Sequence, residues 1–164
     1  MKIRKGTKKD YKELAKLWLE FEKYQDSLWN KEKKKLSGVF EETKKNVLEL
    51  LEKETLKLLN SKESAYFLAE KDNKIIGYLS ISIKNNFEIH QLEKFGRLHY
   101  AFVKEEYRNQ GIFTKLLKEV KKWFKEKKIK YWTLSVSSAN NKVHKYYKKL
   151  GFIDKEIEMI GKIN

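Results

Sequence analysis

The stretch "HYAFVKEEYRNQGIFTKLLKEV", His99–Val120, decides the fold. An apolar strand-like run ends at Val103. A polar turn holding one glycine, Gly111, follows. Leu116, Leu117 and Val120 then recur at helical spacing. A helix N-terminus carries unpaired N–H groups and partial positive charge, and a turn that bares them there forms an anion cradle. Gly111 permits positive φ and close approach of a ligand. Thr114 adds a hydroxyl in the first turn. The segment "RNQGIFT" can therefore hold a phosphate or pyrophosphate, or it can be a plain helix cap. It lacks the two glycines and Lys-Ser/Thr of a P-loop and the G-x-G-x-x-G of a dinucleotide fold.

Working outward, the spacing predicts a mixed α/β chain in the order β-α-α-β-β-β-α-β-α-β. Ile3–Arg4 begins it, a helix covers residues 7–24, and a second helix covers about 41–60. Two strands flank "KDNK" within residues 64–83, a tight-turn composition. Residues 97–103 form a strand, 111–127 a helix and 130–137 a strand. A short helix from Asn140 stops at Gly151, and residues 152–163 read as a last strand. With no proline, repeat or linker, the 164 residues read as one domain, 1–164.

The chain has no cysteine, which excludes disulfides and an acyl-Cys intermediate. Glu88 and His90 make only a minimal metal pair, without an evident third ligand, so no metal is expected. No signal core or membrane-length apolar run occurs, and a soluble cytoplasmic protein is the default. Net charge is +15, carried by lysines spread along the chain, with Arg4, Arg97 and Arg108 the only arginines. Base and bidentate phosphate recognition favour arginine, so nucleic acid is disfavoured as a partner.

The strand, turn and helix resemble the core motif of the GNAT family of N-acetyltransferases, Gln/Arg-x-x-Gly-x-Gly/Ala after a strand. Here it reads Arg108-Asn109-Gln110-Gly111-Ile112-Phe113, with Phe113 where the family has a small residue. Asn140, Tyr147 seven residues on, and "KKLGF" resemble a second family segment, and the opening "IRKGTKKDYKELAKLW" its first strand and helix. The resemblance covers most of the chain and is weakest over residues 29–64. It implies a central mixed, mostly antiparallel sheet flanked by helices, with a splayed strand pair that holds acetyl-CoA.

The implied reaction is attack of a primary amine on acetyl-CoA with no covalent enzyme intermediate. Backbone N–H groups from Asn109 through Gln110, Gly111, Ile112 and Phe113 to Thr114, behind Arg108, would hold the pyrophosphate. Phe102 and Val103 would pair with the pantetheine amides as an added strand, and Asn140 would bind the same arm. Val103 N–H would meet the oxyanion. Tyr147 is the implied donor to the leaving sulfur. Each has a structural counterpart: Phe102 and Val103 as core, Asn140 as an N-cap, Tyr147 as a core aromatic beside Tyr146. An alkyl ammonium of pKa about 10.4 is almost wholly protonated at pH 7, so a base is wanted. His99, placed by alternation on the Val103 face, and Glu88 with His90 before that strand are the candidates. His144 is expected to face solvent.

Trp29, Tyr24, Phe40 and residues 87–90 could line an acceptor pocket, with acidity from Glu20, Glu22 and Asp26. Dimerisation is common for this fold, and a homodimer is compatible with the sequence. Two alternatives stay open: a non-catalytic acetyl-CoA sensor, which binds without turnover, and a basic nucleic-acid-binding domain, which shows salt-dependent affinity and ignores acetyl-CoA.

Overall fold

A computed structural model describes residues 1–29, 42–161 and 163. Strand β1 (Lys2–Lys5) precedes helix α1 (Tyr11–Ser27) and helix α2 (Val47–Asn60). Strands β2 (Ser64–Lys71), β3 (Lys74–Asn85) and β4 (Lys94–Val103) follow. Helix α3 (Ile112–Glu126), the short strand β5 (Trp132–Leu134) and helix α4 (Asn141–Lys149) complete the order. The sheet runs β1-β2-β3-β4-β5, antiparallel except for the parallel β4–β5 pair. No described helix is long and apolar enough to cross a membrane.

The described chain divides into two compact units, Met1–Leu19 with Leu48–Ser135, and Glu20–Val47 with Val136–Asn164. The first holds the sheet. Helix α3 buries Ile112, Leu116, Leu117, Val120, Trp123 and Phe124 on one stripe, the pattern of a helix laid on a sheet. A Cβ on Gly96 of β4 would stand 2.5 Å from the Phe124 ring, so Phe124 seats directly on the backbone there. The register puts Tyr66 of β2, Tyr78 and Ser80 of β3, and Tyr100 and Phe102 of β4 on one face. Trp18 of α1 lies 4.3 Å from the Tyr100 ring centre, which marks that face as the α1 side.

The start of α1 is fixed by charge. Asp10 accepts from Thr7 N–H at 2.7 Å and from two Arg4 nitrogens at 2.8 and 2.9 Å. Arg4 Nε also reaches Glu70 of β2 at 2.6 Å. The guanidinium holds the Asp10 carboxyl below the usual range, so β1, β2 and the helix entry are tied by one network.

The second unit contains α4. His144 Nε2 lies 2.7 Å from Asp154 Oδ1, and Lys148 Nζ lies 3.1 Å from Asp154 Oδ2.

Three sequence expectations change. Helix α2 begins at Val47 instead of about 41; position 41 itself, like Phe40, lies outside the described residues. Strand β5 covers three residues of the expected eight. The last strand, expected over 152–163, is absent among the described residues, and Ile153, Ile157 and Met159 are at least 84% exposed. Alternating apolar residues suit a strand, but a strand forms only where another backbone accepts its hydrogen bonds.

Candidate functional site

Strand β4 leads to the site, and among the described residues its outer edge has a strand partner at one end only. The β4–β5 ladder covers only Gly96, Arg97 and Leu98 against Trp132, Thr133 and Leu134. From His99 to Val103, β4 has a strand partner on the β3 side alone among the described residues. Lys104 N–H crosses to Ile76 C=O at 2.9 Å. Alternation of peptide direction sends Val103 N–H the other way, toward the outer edge. Val103 C=O is taken by Arg108 Nε at 2.9 Å, and the guanidinium carbon lies 6.0 Å from the Phe102 ring centre. Arg108 therefore braces the turn against the end of the strand.

The turn that follows is tightly curled. A 3-10 turn spans Glu105–Tyr107, and Asn109 and Gly111 both adopt positive φ, 61° and 71°. Asparagine and glycine are the residues that tolerate this conformation. Gly111 caps α3, is exposed, and a Cβ there would meet nothing within 4 Å. The first helical bond is Lys115 N–H to Gly111 C=O at 3.1 Å. The N–H groups of Gly111, Ile112 and Thr114 thus belong to the open end of the helix. Ile112 buries its side chain while its peptide stays at that end. Gln110 Nε2 bonds Glu106 C=O at 3.2 Å, closing the turn on itself. Partial positive charge, exposed N–H groups and left-handed residues together suit an anion of phosphate character.

The structure relocates His99. Ser80 pairs with Tyr100 and Ile81 with Leu98, so His99 is the extra residue of a β-bulge. The bulge breaks the alternation that would put His99 beside Val103. Instead His99 Nε2 lies 2.7 Å from Ser82 Oγ, on the α1 face with Tyr100. Burial, then Lys84 and Arg97, hold the imidazole pKa down to about 4. It is neutral at working pH but a weak proton acceptor.

Stability follows from that shift. Between pH 6.5 and 4 the unfolded chain takes up a proton that the folded imidazole refuses. The His99 contribution is therefore complete above pH 6.5 and is lost as pH falls through about 4. An imidazole NMR titration should report a midpoint near 4; one at or above 6.5 would refute the buried placement.

Glu88 sits exposed in the β3–β4 turn with His90. That turn is beyond Lys94, nine strand steps from Val103, or about 30 Å at 3.3 Å per residue. Its carboxylate is thereby separated from the Val103 end of β4. No group of three metal-ligating side chains occurs among the described residues.

In the second unit Asn140 caps α4. Its Oδ1 accepts from Val143 N–H at 3.2 Å, which leaves the Nδ2 hydrogens for another partner. Tyr147 is 5% exposed, with its ring 5.5 Å from Phe152 and 6.1 Å from Tyr146 between centres. Burial, then Tyr146, pushes its hydroxyl well above the usual tyrosine range. Sequence reasoning missed the Ser82–His99 pair and the bonds of Arg97 to Thr133 and Ser135. The two serines of "YLSISI", on one face of an apolar strand, were the available signal.

The profile of the Acetyltransferase (GNAT) family matches residues 17–152. An N-alpha-acetyltransferase of Sulfurisphaera tokodaii is 35% identical over 107 residues, 62% of this chain. The chain spans 63% of that relative, under two thirds of its length. Among solved structures, a tetramutant of the BH1408 protein from Bacillus halodurans superposes with a TM-score of 0.80 at 19% identity, over 99% of this chain and 100% of that one. The aminoglycoside N-acetyltransferase AAC(6')-Iy in complex with CoA gives 0.72 at 19% identity, over 99% and 93%.

Proposed function

The chain belongs to the Acetyltransferase (GNAT) family, and from that premise we propose that it moves an acetyl group from acetyl-CoA to a primary amine by direct attack. The observation that carries this reading is the stretch of β4 that has no outer strand partner among the described residues and runs into the Gly111 turn at the head of α3. The acetyl donor binds with its pyrophosphate on the N–H groups of residues 109–114. Its pantetheine arm lies along β4 at Phe102 and Val103 as an added strand, and the Nδ2 group of Asn140 holds the same arm.

The amine lone pair attacks the thioester carbon while Val103 N–H donates a hydrogen bond to the developing oxyanion. The carbon–sulfur bond then breaks. Tyr147 donates a hydrogen bond to the departing thiolate, which takes a proton from solvent to become the thiol, and the attacking amine gives up a proton to solvent. His99, neutral and weakly basic, serves as a polar contact on the α1 face and not as the strong base.

The test joins binding to turnover. Acetyl-CoA at about a hundred times its dissociation constant should stabilise the fold by roughly 2.7 kcal/mol. Thiol detection of CoA should then show release dependent on an added amine. Stabilisation without release under any amine favours the sensor alternative. No stabilisation by acetyl-CoA or CoA would overturn the reading.

A further inference from the structure

Arg97 of β4 is a guanidinium whose partners among the described residues are hydroxyls. Nη1 donates to Thr133 Oγ1 at 3.2 Å and Nη2 to Ser135 Oγ at 2.6 Å. The residue is half-buried, and no carboxylate among the described residues pairs with it. A cation partly withdrawn from water is costly unless an anion meets it. The planar fork of arginine fits a carboxylate with two parallel bonds. The two hydroxyls fix the fork in place before any ligand arrives.

The surroundings agree in sign. The register sets Ser82 and Thr133 opposite Arg97 on adjacent strands. Lys84 lies two residues beyond Ser82 on the same face of β3. Lys84 and Arg97 are also the two charged groups that act on His99, and both are cations. The far half of this face is thus a positive, hydroxyl-lined surface on three strands.

We propose that Arg97, backed by Lys84, is a subsite for a carboxylate carried by the amine acceptor. The proposal rests on the acetyl-transfer reading above. Ser135 lies one step past Leu134, whose partner is Leu98, so the fork reaches the level of His99. That level is four strand steps from Val103, about 13 Å at 3.3 Å per residue. An acceptor whose amine reaches the Val103 end would carry its carboxylate on the order of 10 Å away, at the same advance per residue. An acidic side chain at the second or third residue of a peptide spans that distance, and so does the α-carboxylate of an extended amino acid acetylated on its side-chain amine. The shared chemistry is an amine and a carboxylate on one molecule. Polyamines, with no anion and several cations, are repelled by the same field.

Paired acceptors test this. Peptides with Asp or Asn at positions two and three form one pair, and lysine with lysinamide the other. At low salt the acid member of one pair should exceed its amide about tenfold or more in kcat/KM, the range of a charge-assisted bond. Which pair responds identifies the source of the carboxylate. Arg97→Gln should bring the ratio to about one, Arg97→Lys should keep part of it, and 0.5 M salt should shrink it. Acetyl-CoA stabilisation should be unchanged in both variants. A ratio of one for both pairs in the parent chain, with acetyl-CoA still binding, overturns the subsite and leaves the transferase reading. So does an Arg97→Gln loss that falls equally on acid and amide. Loss of acetyl-CoA binding by the parent chain overturns both.

Discussion

Replacing Gly111 by valine is expected to abolish stabilisation by acetyl-CoA and leave a folded protein. The reason is local. Gly111 holds φ 71°, ψ 8° at the head of α3, in the left-handed region. A left-handed β-branched residue costs roughly 1–3 kcal/mol. Apart from its chain neighbours and the helix's own backbone, no described atom lies within 4 Å of the added Cβ, so the core gives no reason to unfold. The turn instead relaxes toward negative φ, and the N–H groups at the helix end lose their common direction. The added bulk also stands where a diphosphate would approach the peptide nitrogens. A shift of roughly 2.7 kcal/mol at a hundredfold excess over the dissociation constant should vanish in Gly111→Val. Gly111→Ala should keep part of it. Gly111→Asn should keep more than valine does, because asparagine tolerates the left-handed region. Denaturant unfolding without ligand supplies the control, since the variant must keep a cooperative transition and lose no more than the roughly 1–3 kcal/mol of the strained turn. A full acetyl-CoA shift in the valine variant would remove this turn as the cradle.

This turn was legible in the sequence because its chemistry is local. One glycine, an arginine three residues earlier and a helical apolar pattern suffice to place N–H groups at a helix end. The N-cap role of Asn140 was legible for the same reason, since it opens a short helix that stops before Gly151. His99 was not. Strand alternation assumes an unbroken ladder, and one extra residue between the partners of Ser80 and Ile81 moves the imidazole to the other face. No property of the histidine itself announces that insertion. The hydrogen bonds of Arg97 were invisible because its partners, Thr133 and Ser135, lie more than thirty-five residues away, and only the parallel β4–β5 register brings them level. Residues 152–163 failed in the opposite sense. Their alternation is local and clear, but a strand is a property of two backbones.

Tyr147→Phe should lower kcat about a hundredfold, at the lower end of the usual range for proton-donor groups, while acetyl-CoA binding holds. The substitution keeps the ring, so the packing on Phe152 and Tyr146 survives. What it removes is one hydrogen-bond donor. Burial raises the Tyr147 hydroxyl above its ordinary value, so it stays protonated through any working pH. Full transfer to a thiolate of pKa about 8.5 is then uphill by more than the roughly 1.5 units that separate an ordinary tyrosine from a thiol. The useful act is donation to the sulfur as charge builds, an interaction strongest in the transition state. Loss of such an interaction lowers kcat and kcat/KM together and leaves ground-state binding alone. Two readouts separate this from a merely structural effect. The pH profile of the variant should parallel that of the parent chain at lower rate, since Tyr147 does not titrate within it; an alkaline limb present only in the parent would mean that the proton is fully transferred. An acyl donor with a more acidic thiol should suffer a smaller loss, because its sulfur needs less help to leave. Equal loss for both donors would place Tyr147 outside the departure of the sulfur, and unchanged kcat would exclude it from the chemistry.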